Sequence, residues 1–532
     1  MKVGFGDIAL AALAGLLMAL AAPLVVGAWS DREVFATPLN EVLAWVALVP
    51  LFFAIDGKRG RPAFVLGAVA GVVYFGITLY WVTVALTVFG RIPYIGAVPL
   101  VLLLVAYCAL YWAAGAWLCG FVKNALGAPF SLSAPVLFAA LELLRNYLLS
   151  GFPWGSIGYT QHRNLAIIQV ASIAGVYGVT FLVVLGSALF YEWIGVYLRR
   201  RMTRPVVSTA AFAALVVGAF VWGAYRSEAL AAAAKKAPAV KVSVLQGNIG
   251  QGVKNEAPIH RRSIASVYNR LTVEADARGS DLIVWPEAAY PVLLPRSVPG
   301  FATDWSLLRL KTAGAHILMG AGTYHVGPDR TRRLGNSAFL LDPSLSVLGR
   351  YDKTHLVPFG EYVPLGLPVE KLVSGLGVYV PGPGPEPLSF SRGDMEVRAG
   401  VLICYEGIFP EIARSFVQRG ANLLVNLTND AWYGVSSAPY QHLSMYVFRA
   451  IETGRYVARA ANTGISAFVD PYGRILARSE IFTEDDLTAT VPLLAQKTVY
   501  TRMGDLFAYA AAAVALALLT AASAVSRQKP RE

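Results

Sequence analysis

The sequence predicts a polytopic α-helical membrane domain of eight spans joined to an α/β domain outside the membrane. Charged residues make up only 15% of the 532-residue chain and hydrophobic residues 56%, whereas charged residues are about 25% of an ordinary soluble protein. The apolar residues are concentrated in 1–226 and 505–525, while 235–500 has the composition of a soluble domain. We therefore predict a transmembrane domain at 1–226 with seven spans, a globular domain at 235–500 and a final transmembrane helix at 505–525.

Eight apolar segments are candidate transmembrane helices, because a helix needs about 20 apolar residues to cross a hydrocarbon core of about 30 Å. They cover residues 7–27, 40–55, 63–88, 94–121, 130–150, 165–197, 206–225 and 505–525. The second is short, and the fifth contains Glu142 and Arg145 on one helix face. These two residues are expected to face the bundle interior, either as a structural ion pair or as a contact for a substrate or headgroup.

Basic residues mark alternate loops between these segments. They follow the second, fourth, sixth and eighth segments, as Lys58, Arg59 and Arg61; Lys123; Arg199, Arg200, Arg201 and Arg204; and Arg527, Lys529 and Arg531. Loops rich in Lys and Arg stay in the cytoplasm, so both termini are predicted to be cytoplasmic and 226–504 to be periplasmic in a bacterium. Many of the residues behind the net charge of +12 lie in these loops, so the charge does not indicate a nucleic-acid partner.

The globular part alternates between β-type runs and helical segments, which is typical of layered α/β domains. Strands are predicted at 281–286, 397–403 and 463–469, and helices at 256–278, 409–419 and 440–461. Polar residues at the strand ends of such a domain are positioned for chemistry.

Three strand ends carry residues that suit thiol acyl transfer. Cys404 follows the apolar run Val401–Ile403, Glu287 ends the run 282–287, and Lys353 lies in 351–355. A thiolate is the nucleophile and needs a base or a positive charge near neutral pH. We predict Cys404 as nucleophile, Glu287 as the base and Lys353 as support for the thiolate and for the oxyanion.

Neighbouring residues have predicted supporting roles. The backbone N–H of Tyr405 is a candidate second oxyanion donor, Glu361 is placed to orient Lys353 or an incoming amine, and Glu406 to hold the nucleophile's loop. Each residue also has a plainer interpretation, since a cysteine that ends a strand is often a small core residue. His355 and His442 are interpreted as structural. The sequence has no zinc-protease or nucleotide-binding motif, so no metal or cofactor is expected.

A Pro- and Gly-rich stretch at 357–385 also contains several aliphatic residues. Long irregular loops in compact domains are usually functional, and exposed aliphatic patches are unfavourable in water. We predict a lid that reaches toward the bilayer, with Leu365, Leu367, Leu372 and Leu376 as contacts. The alternative is a loop packed on the domain's own core.

These motifs resemble a known family. Trp285-Pro-Glu287, Lys353 and Cys404-Tyr-Glu406 are similar to the Glu–Lys–Cys triad of the nitrilase superfamily. Further segments are similar to the apolipoprotein N-acyltransferases within it, namely 353–364, 429–434, 462–465, 246–248 and 152–154. The resemblance implies a nitrilase-like α-β-β-α sandwich for the periplasmic domain and a location in the bacterial inner membrane.

The resemblance also implies a reaction. Cys404 would attack an ester of a membrane phospholipid, preferably phosphatidylethanolamine, and form a thioester. The acyl group would then pass to the α-amine of the S-diacylglyceryl cysteine of an apolipoprotein. In this interpretation Glu361, Tyr405 and Glu406 assist, while Trp432 and Tyr433 shape the acyl or diacylglyceryl site.

Two other functions are compatible with parts of the sequence. A membrane-tethered amidase or nitrilase acting on a soluble substrate would use the same three residues, but seven spans and an aliphatic lid would then have little purpose. A transporter with an outer binding domain would need polar residues deep in several spans, and few besides Glu142 and Arg145 are seen.

Overall fold

The computed structural model describes residues 3–24, 38–90, 92–198, 200, 203–302, 306–308, 314–327, 330–363 and 379–528. Within these ranges, six helices are long and apolar enough to cross a membrane: Arg61–Thr78, Tyr94–Leu126, Phe130–Ser150, Ile167–Tyr197, Val206–Lys236 and Leu506–Gln528. Two shorter apolar helices cover Phe5–Ala21 and Asn40–Ile55. Each of the eight predicted apolar segments therefore contains helix, but the helices in the first two segments are shorter than a full span.

The helices of the N-terminal part are α1 (Phe5–Ala21), α2 (Pro38–Ala44), α3 (Val49–Ile55), α4 (Arg61–Thr78), α5 (Val82–Val84), α6 (Tyr94–Leu126), α7 (Phe130–Tyr147), α8 (Ala171–Tyr197) and α9 (Val206–Lys236).

Two of these helices differ from the predicted spans. The span predicted at 63–88 is divided, because α4 ends at Thr78 and a π-helix follows at Ala85–Phe89. The span predicted at 206–225 continues to Lys236, because alanine, the best helix former, fills 231–234. The helix therefore runs almost to the first strand of the soluble domain.

Small residues allow α4 and α6 to approach closely. A Cβ atom on Gly67 would lie 2.6 Å from the carbonyl oxygen of Trp112, and one on Gly71 would lie 2.8 Å from the Cα of Ala109. Glycine is therefore required at both positions for this contact. Close packing over small residues is a common way for helices to associate in a membrane, where apolar burial supplies little driving force.

The strands of the soluble domain are β1 (Ala239–Gln246), β2 (Leu282–Val284), β3 (Tyr290–Pro295), β4 (His316–Val326), β5 (Arg332–Leu341), β6 (Val347–Asp352), β7 (Leu388–Arg392), β8 (Met395–Ile403), β9 (Leu423–Thr428), β10 (Val457–Ala461), β11 (Ala467–Val469), β12 (Ile475–Arg478) and β13 (Asp485–Pro492). The remaining helices are α10 (Gln251–Asn255), α11 (Ala257–Ala277), α12 (Pro410–Gln418), α13 (Ala438–Thr453), α14 (Val499–Met503) and α15 (Leu506–Gln528).

These strands form two sheets. One has the order β13-β1-β2-β4-β5-β6 with β3 beside β4, and the other has the order β12-β11-β10-β9-β8-β7. Alternate residues of β2 point to opposite faces, as strand geometry requires. Leu282 and Val284 join the core that contains the second sheet, and Ile283 joins the core that contains Leu271 of α11. With α12 and α13 against the second sheet, the layers are helix, sheet, sheet and helix, and the predicted nitrilase-like α/β architecture is confirmed.

The helix predicted at 440–461 is wrong in its second half. Helix α13 ends at Thr453, and Gly454 follows in the left-handed region with φ +67°. Residues Val457–Ala461 then form β10, which pairs in parallel with β9. The segment Val457–Ala461 is apolar except for Arg459 and suits a buried strand as well as a helix, and glycine at the helix C-terminus is the signal that separates them.

One buried side chain, Gln441 of α13, joins the soluble domain to the membrane helices. Its Oε1 accepts hydrogen bonds from the indole N–H of Trp81 at 3.1 Å and of Trp154 at 2.7 Å. Its Nε2 donates to the carbonyl oxygens of Pro23 at 3.1 Å and Thr78 at 3.2 Å. All its polar atoms are therefore bonded to membrane-domain segments, a contact that hydropathy does not predict.

The charged residues of the fifth predicted span have a structural role. Glu142 accepts hydrogen bonds from Ile157 N at 2.7 Å and from Thr180 Oγ1 at 2.6 Å. Arg145 donates to Trp154 O at 2.7 Å and to Ser156 Oγ at 3.0 Å. Both side chains hold the loop that follows α7, which favours the structural alternative over a headgroup contact.

Candidate active site

Glu287, Lys353 and Cys404 follow three different strands, and both charged groups lie close enough to Cys404 to affect its pKa. The Lys353 ammonium lies 2.9 Å from Glu361 Oε1 and 3.7 Å from Glu287 Oε1. Lys353 is only 1% exposed. Burial opposes its charge, but the carboxylates of Glu361 and Glu287 outweigh this effect and hold the pKa of Lys353 well above its usual value. The lysine is therefore a fixed positive charge at neutral pH.

The Glu287 carboxylate accepts hydrogen bonds from two donors, in addition to its longer contact with Lys353. Asn336 Nδ2 donates to Oε1 at 2.7 Å and the backbone N–H of Asn429 donates to Oε2 at 3.0 Å. Asn336 also donates to Glu361 Oε1 at 3.3 Å. One amide on β5 thus orients both carboxylates that surround Lys353.

Cys404 is buried, 7% exposed, and its backbone has φ +50°. This left-handed conformation is unfavourable for a residue with a side chain, and such strain is found at functional sites. Burial and the charge of Glu287 raise the pKa of Cys404, while Lys353 acts to lower it. The resting group is therefore a thiol, and it would need a base to act as a nucleophile.

Glu406 ties the turn of Cys404 to the segment that carries Lys353. Its Oε2 accepts Ile403 N at 2.8 Å, and its Oε1 accepts Thr354 N at 2.7 Å and the Tyr351 hydroxyl at 2.7 Å. Burial raises the pKa of Glu406, and these hydrogen bonds act in the opposite direction. The nucleophile and the lysine are therefore positioned by one buried carboxyl group.

The side chain of Tyr405 connects the turn of Cys404 to the membrane domain. Its hydroxyl donates to the carbonyl oxygen of Gly151 at 3.2 Å. Its ring packs against Phe409 and His355, with ring centroids 5.1 Å and 5.8 Å away. Burial lowers the pKa of His355 to about 4, so this imidazole is neutral and packs as an aromatic ring.

Two family models match this chain. The model described as "Carbon-nitrogen hydrolase" matches residues 241–498, and the model described as "Apolipoprotein N-acyltransferase N-terminal domain" matches residues 14–189. An apolipoprotein N-acyltransferase from Geobacter metallireducens is 41% identical over 529 residues, which are 98% of this chain and 96% of the relative. The chain belongs to the apolipoprotein N-acyltransferase family.

Other similar proteins are more distant. An apolipoprotein N-acyltransferase from Pasteurella multocida is 33% identical and covers 88% of each chain. A solved amidase of the nitrilase superfamily from Nesterenkonia is 22% identical with a TM-score of 0.35, over 48% of this chain and 93% of the amidase. The resemblance to apolipoprotein N-acyltransferases is thus confirmed over nearly the whole chain, and the chain is an acyltransferase.

In this apolipoprotein N-acyltransferase, the predicted aromatic residues occupy different environments. Tyr433 is packed against Trp81 and Trp154 of the membrane domain, with ring centroids 4.7 Å and 6.1 Å away. Trp432 is 40% exposed. The predicted lid contacts Leu365, Leu367, Leu372 and Leu376 lie outside the described residues.

A buried cluster supports the turn that carries Trp432 and Tyr433. Asp430 Oδ2 accepts Arg459 Nη2 at 2.6 Å, and Asp430 Oδ1 lies 3.1 Å from His442 Nδ1. Burial opposes the charge of Asp430, but Arg459 and His442 outweigh it and lower the pKa of Asp430 to about 2. His442 therefore has the structural role that its sequence context indicates.

Several residues of the site have little or no sequence signal. Asn336 lies inside a strand, and its contact with Glu287 depends on the pairing of distant segments. Lys254 lies on α10, near the Gln246-Gly-Asn248 motif, and its Nζ donates to the carbonyl oxygen of Glu287 at 3.1 Å. Among the described residues, no group of three or more His, Cys, Asp and Glu side chains is arranged to hold a metal.

Proposed function

We propose that this chain transfers a fatty acyl group from a membrane phospholipid to the α-amine of the S-diacylglyceryl cysteine of an apolipoprotein. Cys404 carries the acyl group as a thioester. The observation that carries the proposal is the position of the Glu–Lys–Cys cluster beside the membrane domain, since Tyr405 is bonded to Gly151 O. A nucleophile in this position is within reach of lipid esters.

In the first half-reaction Glu287 accepts the proton of Cys404, and the thiolate attacks the ester carbonyl. The negative charge that develops on the carbonyl oxygen is stabilised by the Lys353 ammonium and by the backbone N–H of Tyr405. The C–S bond forms and the C–O bond to glycerol breaks. Glu287 returns the proton to the departing glycerol oxygen, so a lysophospholipid leaves and the enzyme holds a thioester.

In the second half-reaction the neutral α-amine of the acceptor attacks the thioester carbonyl. Glu287 accepts a proton from the amine, the same donors stabilise the oxyanion, and the Cys404 thiolate leaves. The thiolate regains the proton from Glu287, and the product is an amide. This is ping-pong chemistry in which one carboxylate serves both steps.

In more detail, the proposed acyl donor is phosphatidylethanolamine. Its lipid chains are proposed to contact Trp432, Tyr433, Leu365 and Leu367. The packing of Tyr433 against Trp81 supports a lipid site at the junction of the two domains. Aromatic and aliphatic side chains of this kind bind acyl chains by apolar burial.

The decisive experiment measures acylation directly. The purified protein is incubated with phosphatidylethanolamine, and intact-protein mass spectrometry is expected to show one acyl mass on Cys404. Adding a diacylglyceryl-cysteine peptide is expected to remove that mass and to yield the N-acylated peptide. If no adduct forms, the mechanism is wrong, and an adduct discharged by water but not by the peptide would support the hydrolase alternative.

The lid leucines have their own test. The double substitution Leu365→Asp with Leu372→Asp is expected to slow acylation by phospholipid about tenfold or more, because it places charges where acyl chains bind. A short, water-soluble thioester donor should be used at the wild-type rate. Equal slowing of both donors would indicate that these leucines pack on the domain's own core.

We also propose that the catalytic domain is periplasmic and both termini are cytoplasmic, as the basic loops indicate. The exposed Leu198 at the end of α8 is replaced with cysteine in one variant, and the exposed Val326 at the end of β4 in another. The three native cysteines are buried, so they are expected to contribute little background labelling. In intact cells, a membrane-impermeant maleimide is expected to label Val326→Cys and to leave Leu198→Cys unlabelled; the reverse result would overturn the orientation.

A further inference from the structure

A second lysine reaches the catalytic centre from α10. The short helix is held by an amide network, because Asn429 Nδ2 donates to Gln251 Oε1 at 2.8 Å. Asn462 fixes Ile249, two residues before the helix begins, since its Nδ2 donates to Ile249 O at 2.7 Å and its Oδ1 accepts Ile249 N at 3.1 Å. Asn429 is also the residue whose N–H binds the Glu287 carboxylate. The position of α10 is therefore coupled to that of the catalytic base.

Lys254 projects from this helix to Glu287 and is only partly buried. Its ammonium donates to the carbonyl oxygen of Glu287 at 3.1 Å. Among the described residues, no carboxylate lies within salt-bridge distance of it. The nearby Glu287 carboxylate is occupied by Asn336 and by the backbone N–H of Asn429. Lys254 thus has N–H groups available to a ligand that enters the site.

The charge of Lys254 persists at neutral pH. Burial lowers its pKa to about 8, while the negative charges of Glu287 and of a Cys404 thiolate act to raise it. At pH 7 the group is therefore largely an ammonium. Lys353 is in a different situation, because two carboxylates already neutralise it.

A phospholipid donor places the negative charge of its phosphodiester on the side of the site where Lys254 lies. Glu287 protonates the departing glycerol oxygen, so groups beside Glu287 face the leaving group. The phosphodiester of a phospholipid is a few bonds from that oxygen. Ammonium groups bind phosphate oxygens through short, charge-assisted hydrogen bonds. The acceptor amine carries no phosphate at the corresponding position.

We propose that Lys254 binds the phosphodiester of the acyl donor during the first half-reaction. The inference rests on the proposed function, because it assumes a phospholipid donor. Lys254 then contributes to the choice of donor and has no role in the transfer to the amine. A purely structural role would be to hold the turn of Glu287, where Ala288 has φ +46°, and such a role would affect every donor and both half-reactions.

The test compares two donors with the same acyl chains in Lys254→Gln, Lys254→Arg and wild type. One donor is a phospholipid and the other is the matching diacylglycerol, which has a glycerol leaving group without phosphate. Lys254→Gln is expected to slow acylation of Cys404 by phospholipid about tenfold to a hundredfold, the usual effect of losing a hydrogen bond to a charged group. Its rate with diacylglycerol should match wild type, and Lys254→Arg should retain most of the phospholipid rate.

Lys497 supplies a matched control, because its Nζ also donates one hydrogen bond of 3.1 Å to a carbonyl, that of Gln418. Lys497→Gln is expected to behave as wild type with both donors. Single-turnover transfer from acylated enzyme to a diacylglyceryl-cysteine peptide should be unchanged in Lys254→Gln. Equal slowing with both donors, or no slowing with either, would overturn the proposal. Failure of the proposed function is distinguishable, because wild type would then form no acyl adduct with phospholipid.

Discussion

Replacement of Cys404 with alanine is expected to abolish the acyl-enzyme and to reduce turnover by about 10⁴-fold or more. The variant lacks the sulfur atom that is proposed to hold the acyl group between donor and acceptor. The residue is small and lies at a strained turn, so alanine fits the same space and the fold should persist. Intact-protein mass spectrometry after incubation with phospholipid checks the adduct, and the yield of N-acylated peptide checks turnover.

The two membrane cysteines provide the control for this result. Cys119 is fully buried in α6. Cys119→Ala is the same type of substitution at a position that has no part in the proposed reaction. It is expected to form the adduct at the wild-type rate. An adduct that persists in Cys404→Ala would place the acyl group on another residue and would contradict the mechanism.

Replacement of Lys353 with methionine is expected to affect both catalysis and stability. Acylation should fall by about 10²–10³-fold, the usual effect of losing one preorganised oxyanion donor. The free energy of unfolding should fall by about 3–5 kcal/mol, because the substitution leaves the buried carboxylates of Glu287 and Glu361 without their cation. The rate of adduct formation and thermal unfolding in detergent measure the two effects separately.

A second substitution separates the two roles of Lys353. Adding Glu361→Gln to Lys353→Met removes one of the unpaired charges, so the double variant should regain part of the lost stability. Acylation should stay as slow as in Lys353→Met, since the oxyanion donor is still absent. Recovery of acylation together with stability would indicate that Lys353 acts only by maintaining the fold.

The sequence indicates the candidate catalytic residues because strand ends are local features. The apolar runs before Cys404 and Glu287 predict buried strands, and the structure places Cys404 directly after β8 and Glu287 three residues after the end of β2. The roles assigned to the triad remain predictions, which the distances between Lys353, Glu287 and Glu361 support.

Other features could not be predicted because they depend on contacts between distant segments. The amide of Asn336 meets Glu287 only after β5 has paired within the first sheet, since 49 positions separate the two residues. The carbonyl oxygen of Thr78 at the end of α4 accepts a hydrogen bond from Gln441, which lies 363 positions further along the chain. Hydropathy and periodicity are calculated over short stretches of sequence, so neither detects contacts between segments that are far apart in the chain.

The amino-acid sequence is sufficient to predict that this chain combines apolar helices with an α/β domain and that a thiol, a carboxylate and a lysine follow its strands. Which charges neutralise one another is visible only in the folded chain. Lys353 is enclosed by Glu361 and Glu287, whereas Lys254 reaches Glu287 with a single hydrogen bond to a carbonyl oxygen. The physical reason is that ion pairing falls off with distance through space, and those distances are set by packing.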